Sequence, residues 1–485
     1  MNKAIAQLEP RSVWTNFSKL NAVPRPSKKE ERVIAFMMDF GSTLGFETLK
    51  DEVGNVIIRK PASPGFENRK MITLQSHLDM VHQKNSDTEF NFDTQGIQMR
   101  LEGDWVKANG TTLGADNGMG VATIMALLES KDIAHPPLEA LFTIDEETGM
   151  TGAFGLKGGI LKGEILLNLD TEEDDEIDIG CAGGVDVTAK RSYNEKSSVH
   201  GDIGFEIKVS GLKGGHSGMD IHKGFGNANK IMNRLLFAGL SYNMRIAALE
   251  GGSLRNAIPR ESHAVININK SQKISFLAAF DKVVSEIKAE LRFVEKELKV
   301  SIEPRKTSKK VMGLGAQGKL LKGIYAAHNG VYKMSTSIPG LVETSNNVAK
   351  VKVGNGEIHI GCLTRSSVET GKMDLAQALK ATFELAGFEV NFSGSYPGWN
   401  PNPNSEILKI TKKVYTDLFS VEPRVVACHA GLECGILGQN YPEMDMVSFG
   451  PTIHGAHSPD ERVSVSSVQK FWKFLLEILK EIPSK

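Results

Sequence analysis

Residues 71–79 read MITLQSHLD, and together with residues 114–130, GADNGMGVATIMALLES, they decide the fold. The first stretch is an apolar run that ends in polar residues, which is the pattern of a buried strand followed by a loop. The second stretch is a glycine-rich turn followed by an apolar segment of helical length. A strand, a polar loop and a helix in this order indicate an α/β layer built on a central sheet.

The same alternation extends outward from these stretches and is interrupted once. Short apolar runs at Val56–Arg59, Leu138–Ile144 and Glu164–Leu169 predict further strands of the sheet, and the α/β style returns after a cluster of prolines and asparagines near residues 396–404. The middle of the chain differs, because it predicts strands, one long amphipathic helix over residues 273–300 and a basic loop over 303–318. We therefore predict an α/β catalytic domain formed by residues 1–186 and 396–485, and an inserted α+β lid domain at 187–395.

Composition excludes several classes of protein. The 485 residues carry 57 basic and 58 acidic side chains, for a formal net charge of -1, so the chain has no overall basic field for nucleic acid. No apolar run approaches the roughly 20 residues that span a bilayer, which argues against a membrane role. Residues 1–17 lack the apolar stretch of a secretory signal, so we expect a cytoplasmic protein.

Acidic residues and histidines recur where the predicted strands end. Each one alone is typical of a helix cap or a turn, but their recurrence at one edge of a sheet predicts a metal-dependent hydrolase. Mixed histidine and carboxylate ligands suit zinc, manganese or cobalt, and a carboxylate can bridge two ions. The spacing does not decide whether His454 or His457 is a ligand. The residues concerned are His77, Asp79, Asp116, Asp145, Glu146, Glu147, Asp170, His454 and His457.

Two other patterns have competing interpretations. Cys428, His429 and Cys434 resemble a metal site but lack the paired spacing of zinc ribbons, so buried thiols are the better interpretation. Residues 313–319, GLGAQGK, resemble a nucleotide-binding loop. They lack the serine or threonine that holds Mg²⁺ and do not follow a buried strand, so we do not predict nucleotide binding.

Several motifs resemble those of metallopeptidase family M20 and occur in the same order. These motifs are SHLDMV, GADNG, DEETG, NLDTEE and HSPDERV. Within that family, the longer stretches LQSHLDMVHQKN, GLKGGHSG, LRNAIPRE, YPGW and HAGLECG are similar to those of the aminoacyl-histidine (Xaa-His) dipeptidases. The resemblance extends over essentially the whole chain and implies the two-domain fold of the family.

The resemblance implies a site for two divalent metal ions, with zinc expected and cobalt or manganese as alternatives. Asp116 is expected to bridge the ions. His77 and Asp170 are expected to complete the ligands of one ion, and Glu147 and His457 those of the other. The Asp116–Asn117 peptide bond is expected to be cis.

The resemblance also implies catalytic roles for three residues. Glu146 is expected to be the general base, and Asp79 to orient the imidazole of His77. His216, in the predicted lid, is expected to stabilise the oxyanion that forms on the substrate.

Four further residues are expected to bind the substrate: Asn256, Arg365, Gly431 and Glu433. The arginine fork suits a carboxylate, and Glu433 is a candidate for the substrate's amino group. The expected substrates are dipeptides with free termini, above all those ending in histidine, including β-alanyl-histidine. We also expect a homodimer. An aminoacylase or carboxypeptidase on the same framework, and a non-catalytic metal-binding protein, are the alternatives.

Overall fold

The computed structural model describes residues 3–485, which form two compact units. The first unit contains the chain up to Gly180, together with Trp399–Ala427 and Leu432–Lys485. The second contains Cys181–Gly398 and Cys428–Gly431. Residues 181–186, 396–398 and 428–431, which the sequence assigns to the catalytic domain, therefore group with the second unit. The labels catalytic domain and lid stay predictions.

Helices and strands alternate through much of the chain. The α-helices of residues 3–485 are α1 (Arg11–Leu20), α2 (Glu31–Thr43), α3 (Ala115–Glu129), α4 (Glu146–Gly149), α5 (Thr151–Gly155), α6 (Ala228–Ala238), α7 (Lys273–Leu291), α8 (Leu314–Ala326), α9 (Glu369–Leu385), α10 (Glu406–Phe419), α11 (Glu433–Asn440) and α12 (Val465–Glu481). Short 3-10 helices lie at Ile5–Gln7, Ile221–Lys223, Gly239–Tyr242 and Lys270–Gln272.

The strands fall into two large sheets and two small ones. They are β1 (Glu47–Lys50), β2 (Val56–Lys60), β3 (Ile72–His77), β4 (Met99–Glu102), β5 (Trp105–Ala108), β6 (Leu138–Thr143), β7 (Ile165–Asn168), β8 (Glu176–Cys181), β9 (Gly183–Ser192), β10 (Glu195–Ser197), β11 (Asp202–Ser210), β12 (Arg245–Gly251), β13 (Ser262–Asn269), β14 (Lys299–Arg305), β15 (Lys310–Met312), β16 (Gly330–Met334), β17 (Val342–Gly354), β18 (Glu357–Ser366), β19 (Glu389–Tyr396), β20 (Arg424–Cys428), β21 (Asp445–Ser448), β22 (Ile453–His454) and β23 (Arg462–Ser464).

The first unit is built on a sheet with the strand order β1-β2-β6-β3-β7-β21-β8-β20. Its central strands β6, β3, β7 and β21 run parallel, so their carboxyl ends meet at one edge. Every residue of β3, β6 and β7 is buried, as expected for parallel strands covered on both faces. A small sheet, β22-β23-β5-β4, completes the unit's strands.

Helix α3 is buried on all sides and packs against β3 and α1. It follows Gly114, whose φ of 70° lies in the left-handed region that favours glycine. At Gly120, a Cβ atom would overlap the side chains of Ser76 and Asn117. The absence of a side chain there lets the helix approach the end of β3 closely.

The second unit is an antiparallel sheet with helices packed against it. Its strands follow the order β14-β11-β13-β12-β17-β18-β9-β19, and β16 pairs with β17. An apolar cluster drawn from the sheet and from helices α6 to α9 forms its core. The predicted α/β fold with a second α+β unit is therefore confirmed. Among residues 3–485, no helix is long and apolar enough to cross a membrane.

Two predictions about the middle of the chain were wrong. The long helix predicted over residues 273–300 ends at Leu291, because residues 299–305 form β14 and pair with β11. The loop predicted over 303–318 contains β15 and the start of α8. The glycine-bearing segment is helical because Gln317 is buried and bonds the backbone of Met244 and Ile246.

Candidate active site

The carboxyl edge of the first unit's sheet collects the predicted residues. In the parallel register, His77 at the end of β3 lies beside Thr143 at the end of β6. The chain after β6 enters the short helix α4 at Glu146, and the chain after β7 reaches Asp170 two residues past Asn168. Asp116 comes from the turn that opens α3, and its peptide bond to Asn117 is cis, as the resemblance implied.

Asp116 lies between two histidines. Its Oδ1 is 3.2 Å from Nε2 of His77, and its Oδ2 is 3.2 Å from Nε2 of His457. A further carboxylate accompanies each histidine. Asp170 Oδ1 is 3.7 Å from Nε2 of His77, and Glu147 Oε2 is 2.9 Å from Nε2 of His457. The Asp116 carboxylate thus directs one oxygen toward the pair of His77 and Asp170, and the other toward the pair of His457 and Glu147.

These residues form groups that can hold metal ions. Two of the groups share Asp116, and a third joins His77 to Glu146 and Glu147; the ligand atoms within each group lie within 4.8 Å of one another. Glu147 Oε1 is buried and has no hydrogen-bond partner, as expected of an atom placed to bind a cation. Mixed nitrogen and oxygen donors suit zinc, manganese or cobalt. Among the described residues, none of these groups includes Cys428, His429 or Cys434.

Opposite charges dominate the electrostatics of this cluster. Although burial raises the pKa of Asp116, hydrogen bonds from His457 and His77 lower it well below its usual range. The hydrogen bonds of His457 to Asp116 and Glu147 raise the pKa of that histidine to about 11. Burial raises the pKa values of Glu146 and Asp170 well above their usual range. Several carboxylates thus share a small buried volume, which favours the binding of cations.

Asp79 links His77 to the turn that carries the two glutamates. Its Oδ1 is 3.3 Å from Nδ1 of His77 and accepts the backbone N–H of Glu146 at 3.0 Å. Its Oδ2 accepts the backbone N–H of Glu147 at 3.3 Å and the hydroxyl of Ser27 at 2.8 Å. One fully buried carboxylate therefore fixes the imidazole and the start of α4 together.

The structure separates the two late histidines that spacing alone left equivalent. His457 belongs to a group that can hold a metal ion. His454 instead pairs with Glu173, at 3.3 Å, and its ring lies 5.2 Å from that of Trp105. Its position in β22 directs it to these neighbours, and it belongs to none of the metal-binding groups of the described residues.

Glu461 is a buried residue at this site that the sequence interpretation missed. Its side chain accepts four consecutive backbone N–H groups: Oε2 accepts those of Leu113 and Gly114, at 2.6 and 2.9 Å, and Oε1 accepts those of Ala115 and Asp116, at 2.7 and 3.2 Å. Burial raises the pKa of Glu461 to about 7, and these bonds act in the opposite direction. The carboxylate thus holds the turn that presents Asp116.

Arg25, which the sequence interpretation also missed, braces the same region. Its Nη1 donates to the carbonyls of Leu78 and Asp79, at 3.0 and 3.1 Å, and its Nη2 donates to that of Gly114 at 2.6 Å. Burial lowers its pKa to about 10, so the guanidinium stays charged at neutral pH. It ties the segment after β3 to the turn before α3. No spacing signal pointed to it, since it lies between two prolines in an irregular stretch.

His216 in the second unit is held in one tautomer. Its Nδ1 accepts the backbone N–H groups of Gly218 and Met219, at 3.2 and 3.1 Å, so the ring proton lies on Nε2. Burial and nearby Arg365 lower its pKa to about 4. The imidazole is therefore neutral at pH 7 and presents an N–H donor.

The other predicted substrate-binding residues are distributed over both units. Arg365 is buried in the second unit, with Nη2 3.5 Å from His216 Nε2, whereas Asn256 is exposed and its carbonyl accepts the N–H of Ser217. Gly431 groups with the second unit and Glu433 with the first. Assignment of all four to the substrate stays a prediction.

Glu433 is fully buried under the sheet edge of the first unit. Its Oε2 accepts hydrogen bonds from Gln75 and Thr143, both at 2.6 Å, and its Oε1 has no partner. Burial raises its pKa to about 7. The carboxyl is thus set among strand residues, and its expected role toward the substrate's amino group remains a prediction.

Comparison with known proteins identifies the family. The model of peptidase family M20/M25/M40 matches residues 73–481, and the chain belongs to this family. It is 43% identical over 483 residues to the cytosol non-specific dipeptidase of Escherichia coli strain K12, with 99% of each chain covered.

Solved structures agree with this assignment. The crystal structure of aminoacylhistidine dipeptidase from Vibrio alginolyticus has a TM-score of 0.93 and 43% identity, covering 99% of this chain and 98% of that one. A tripeptidase from Staphylococcus aureus has a TM-score of 0.62 and 16% identity, covering 98% and 99%, and shows the fold alone. The predicted family, and with it the prediction of a peptidase enzyme, is confirmed.

Proposed function

We propose that the chain is a metal-dependent dipeptidase that hydrolyses dipeptides with free termini. One observation carries the proposal: the Asp116 carboxylate directs one oxygen to His77 and the other to His457, each at 3.2 Å from Nε2. A carboxylate in that position can bridge two cations, which is the ligand arrangement of two-metal hydrolases. Membership of a peptidase family supports this assignment.

The proposed ligands are divided between the two groups that share Asp116. His77 and Asp170 would bind one divalent cation, and Glu147 and His457 would bind the other. Zinc is the proposed metal, with cobalt or manganese as alternatives. When bound, the cations polarise the scissile carbonyl and lower the pKa of water. Asp79 fixes the orientation of the His77 ring by contacting its Nδ1.

Glu146 is the proposed general base. It begins α4, and Asp79 fixes its backbone, so its carboxylate starts from a defined position next to Glu147. Its pKa is raised by burial, which suits a group that must take up a proton and release it again. In the proposed reaction it accepts a proton from the attacking water and then donates one to the leaving amine.

His216 and Arg365 are two further proposed contacts to the substrate. The Nε2–H of His216 donates to the developing oxyanion, a role that a neutral imidazole can fill. The Arg365 fork binds the terminal carboxylate of the dipeptide. We further propose Asn256 as a contact to the peptide backbone, Gly431 as part of the substrate site, and Glu433 as the acceptor of the free amino group.

Dipeptides ending in histidine, including β-alanyl-histidine, are the proposed preferred substrates. The Vibrio relative is named an aminoacylhistidine dipeptidase, whereas the E. coli relative is named non-specific. Relative kcat/KM for a panel of dipeptides that differ only in the second residue measures this preference. Equal kcat/KM values across the panel would instead indicate a dipeptidase with no preference for the second residue.

We also propose that the protein is a cytoplasmic homodimer. Analytical ultracentrifugation measures the mass of the assembly and tests the dimer.

The test of the mechanism separates metal binding from hydrolysis. Glu146→Ala should keep the metal content of the wild type while its turnover of a free dipeptide falls by at least about 100-fold. Glu52→Ala, at an exposed glutamate paired with Lys157, is the matched control and should retain activity. Substantial residual turnover in Glu146→Ala would remove Glu146 from the role of base.

A second assay separates the proposed dipeptidase from its alternatives. An aminoacylase hydrolyses N-acylated amino acids, and a carboxypeptidase accepts peptides whose amino end is blocked. The proposal expects faster hydrolysis of a free dipeptide than of its N-acetyl form. A preference for the blocked form would favour an acylase or carboxypeptidase, and no hydrolysis of either would favour a non-catalytic metal protein.

A further inference from the structure

Arg365 is a buried cation without an anionic partner in the part of the chain that the structure describes. Its residue is 4% exposed, its Nε is buried and has no hydrogen-bond partner, and no carboxylate among residues 3–485 lies within ion-pair distance. Asp186, on the neighbouring strand β9, pairs instead with Arg255 at 3.1 Å. A buried guanidinium without an ionic partner is energetically costly, so a bound anion would stabilise it.

A second donor, which has no acceptor among the described residues, lies beside this arginine. Nε2 of His216 is 3.5 Å from Nη2 of Arg365, and the tautomer fixed by Gly218 and Met219 leaves a proton on that nitrogen. Two neighbouring N–H groups are therefore each available to an acceptor oxygen of a ligand.

The orientation of Arg365 is set by a row of residues across adjacent strands. Arg365 on β18 pairs with Gly184 on β9, and Gly184 pairs with Tyr396 on β19. Residues paired in this way project from the same face of a sheet. Because the middle member is glycine, the two outer side chains meet above it, and Nη1 of Arg365 donates to the Tyr396 hydroxyl at 2.7 Å.

Tyr396 is itself held firmly. A Cβ atom on Gly184 would lie 2.7 Å from the Tyr396 ring, so the ring fills the space that a side chain would take. Fully buried Lys372 donates to the Tyr396 carbonyl at 2.7 Å and pairs with Glu369 at 2.9 Å. The register of β19 shifts between Ser393 and Tyr396, which places the tyrosine opposite Gly184.

We propose that Tyr396 is a positioning residue that aims the Arg365 guanidinium at the terminal carboxylate of the dipeptide. This deepens the proposed function and rests on its assignment of Arg365. By occupying Nη1, the hydroxyl fixes the plane of the fork and leaves Nε and Nη2 for the substrate. Selection of a free carboxyl end is then built into the row formed by Arg365, Gly184 and Tyr396.

The test compares a dipeptide with its C-terminal amide. In Tyr396→Phe, which keeps the ring over Gly184, we expect the ratio of kcat/KM for the free dipeptide over the amide to fall about tenfold. The loss should come from a higher KM for the free dipeptide, with kcat and the metal content unchanged. Tyr332→Phe, at a half-exposed tyrosine of β16, is the matched control and should keep the wild-type ratio.

The outcomes separate this inference from the assignment beneath it. If the wild type does not prefer the free dipeptide, or if Arg365→Ala keeps the preference, the role of Arg365 fails. If Arg365→Ala abolishes the preference but Tyr396→Phe leaves the ratio unchanged, only the role of Tyr396 is overturned. An equal loss on both substrates in Tyr396→Phe would indicate a structural role and would also overturn the inference.

Discussion

Replacing Glu461 by glutamine tests how the turn that presents Asp116 is held. The two carboxylate oxygens accept four backbone N–H groups at 2.6 to 3.2 Å. An amide keeps one oxygen and turns an NH₂ group toward the other two donors. Two buried N–H groups then lose their acceptor at about 1–3 kcal/mol each, which is about 2–6 kcal/mol for the turn.

Hydrogen exchange of the metal-free protein measures how much the turn at residues 113–116 is destabilised. Since 1.4 kcal/mol corresponds to a factor of ten, the lower bound predicts at least about 30-fold faster exchange of the amides at residues 113–116 in Glu461→Gln. Mass spectrometry of a peptide spanning residues 111–119 measures the rate. Glu443→Gln, at an exposed glutamate, is the control and should exchange like the wild type. Unchanged exchange of that peptide in Glu461→Gln would refute the reasoning.

Two further predictions concern histidines of the second unit. His216→Ala should lower kcat by about 100-fold or more while the metal content stays that of the wild type, and a normal kcat would exclude it from the mechanism. His429, whose pKa is lowered to about 3 by burial and by Arg365, is neutral when folded but titrates at its ordinary pKa when unfolded. Wild-type stability should therefore fall as the pH drops below 6.5, with a contribution from His429 of up to about 1.4 kcal/mol per pH unit. Urea unfolding of His429→Gln at pH 4 to 7 should show a shallower decline, and identical pH slopes would contradict this prediction.

The edge of the first sheet was predictable because parallel strands bring their carboxyl ends together. The apolar runs that end at His77 and at Leu169, just before Asp170, were enough to predict that His77 and Asp170 lie close together. The structure places both of them next to Asp116. The choice between His454 and His457 was not predictable from spacing. It depends on β22, whose pairing with β23 turns one histidine to Glu173 and lets the next loop return the other to Asp116.

The residues that support the site carried no spacing signal. Glu461 reaches the turn at residues 113–116 from the far end of the chain, and Arg25 lies in an irregular segment between prolines. Their roles depend on which backbone groups the tertiary fold leaves without partners. The row of Arg365, Gly184 and Tyr396 likewise depends on strand register across sequence separations that no local pattern reveals.

The middle of the chain shows a similar limit. Helical periodicity continues past Leu291, but Val300 and Ile302 also alternate as in a strand, and packing on the second unit's core decides for β14. Local patterns therefore predicted segments whose own periodicity fits one kind of element. They failed at residues 299–305, where pairing with β11 determines the structure.

The stoichiometry of metal binding against activity tests the central proposal most directly. Chelated protein is titrated with zinc while bound metal and hydrolysis of a free dipeptide are measured together. We expect no hydrolysis without metal, two equivalents bound per chain at full activity, and weakened binding of both in Asp116→Ala, because each group loses its shared carboxylate. Full hydrolysis by the metal-free protein, or unchanged binding of two ions in Asp116→Ala, would contradict the proposal.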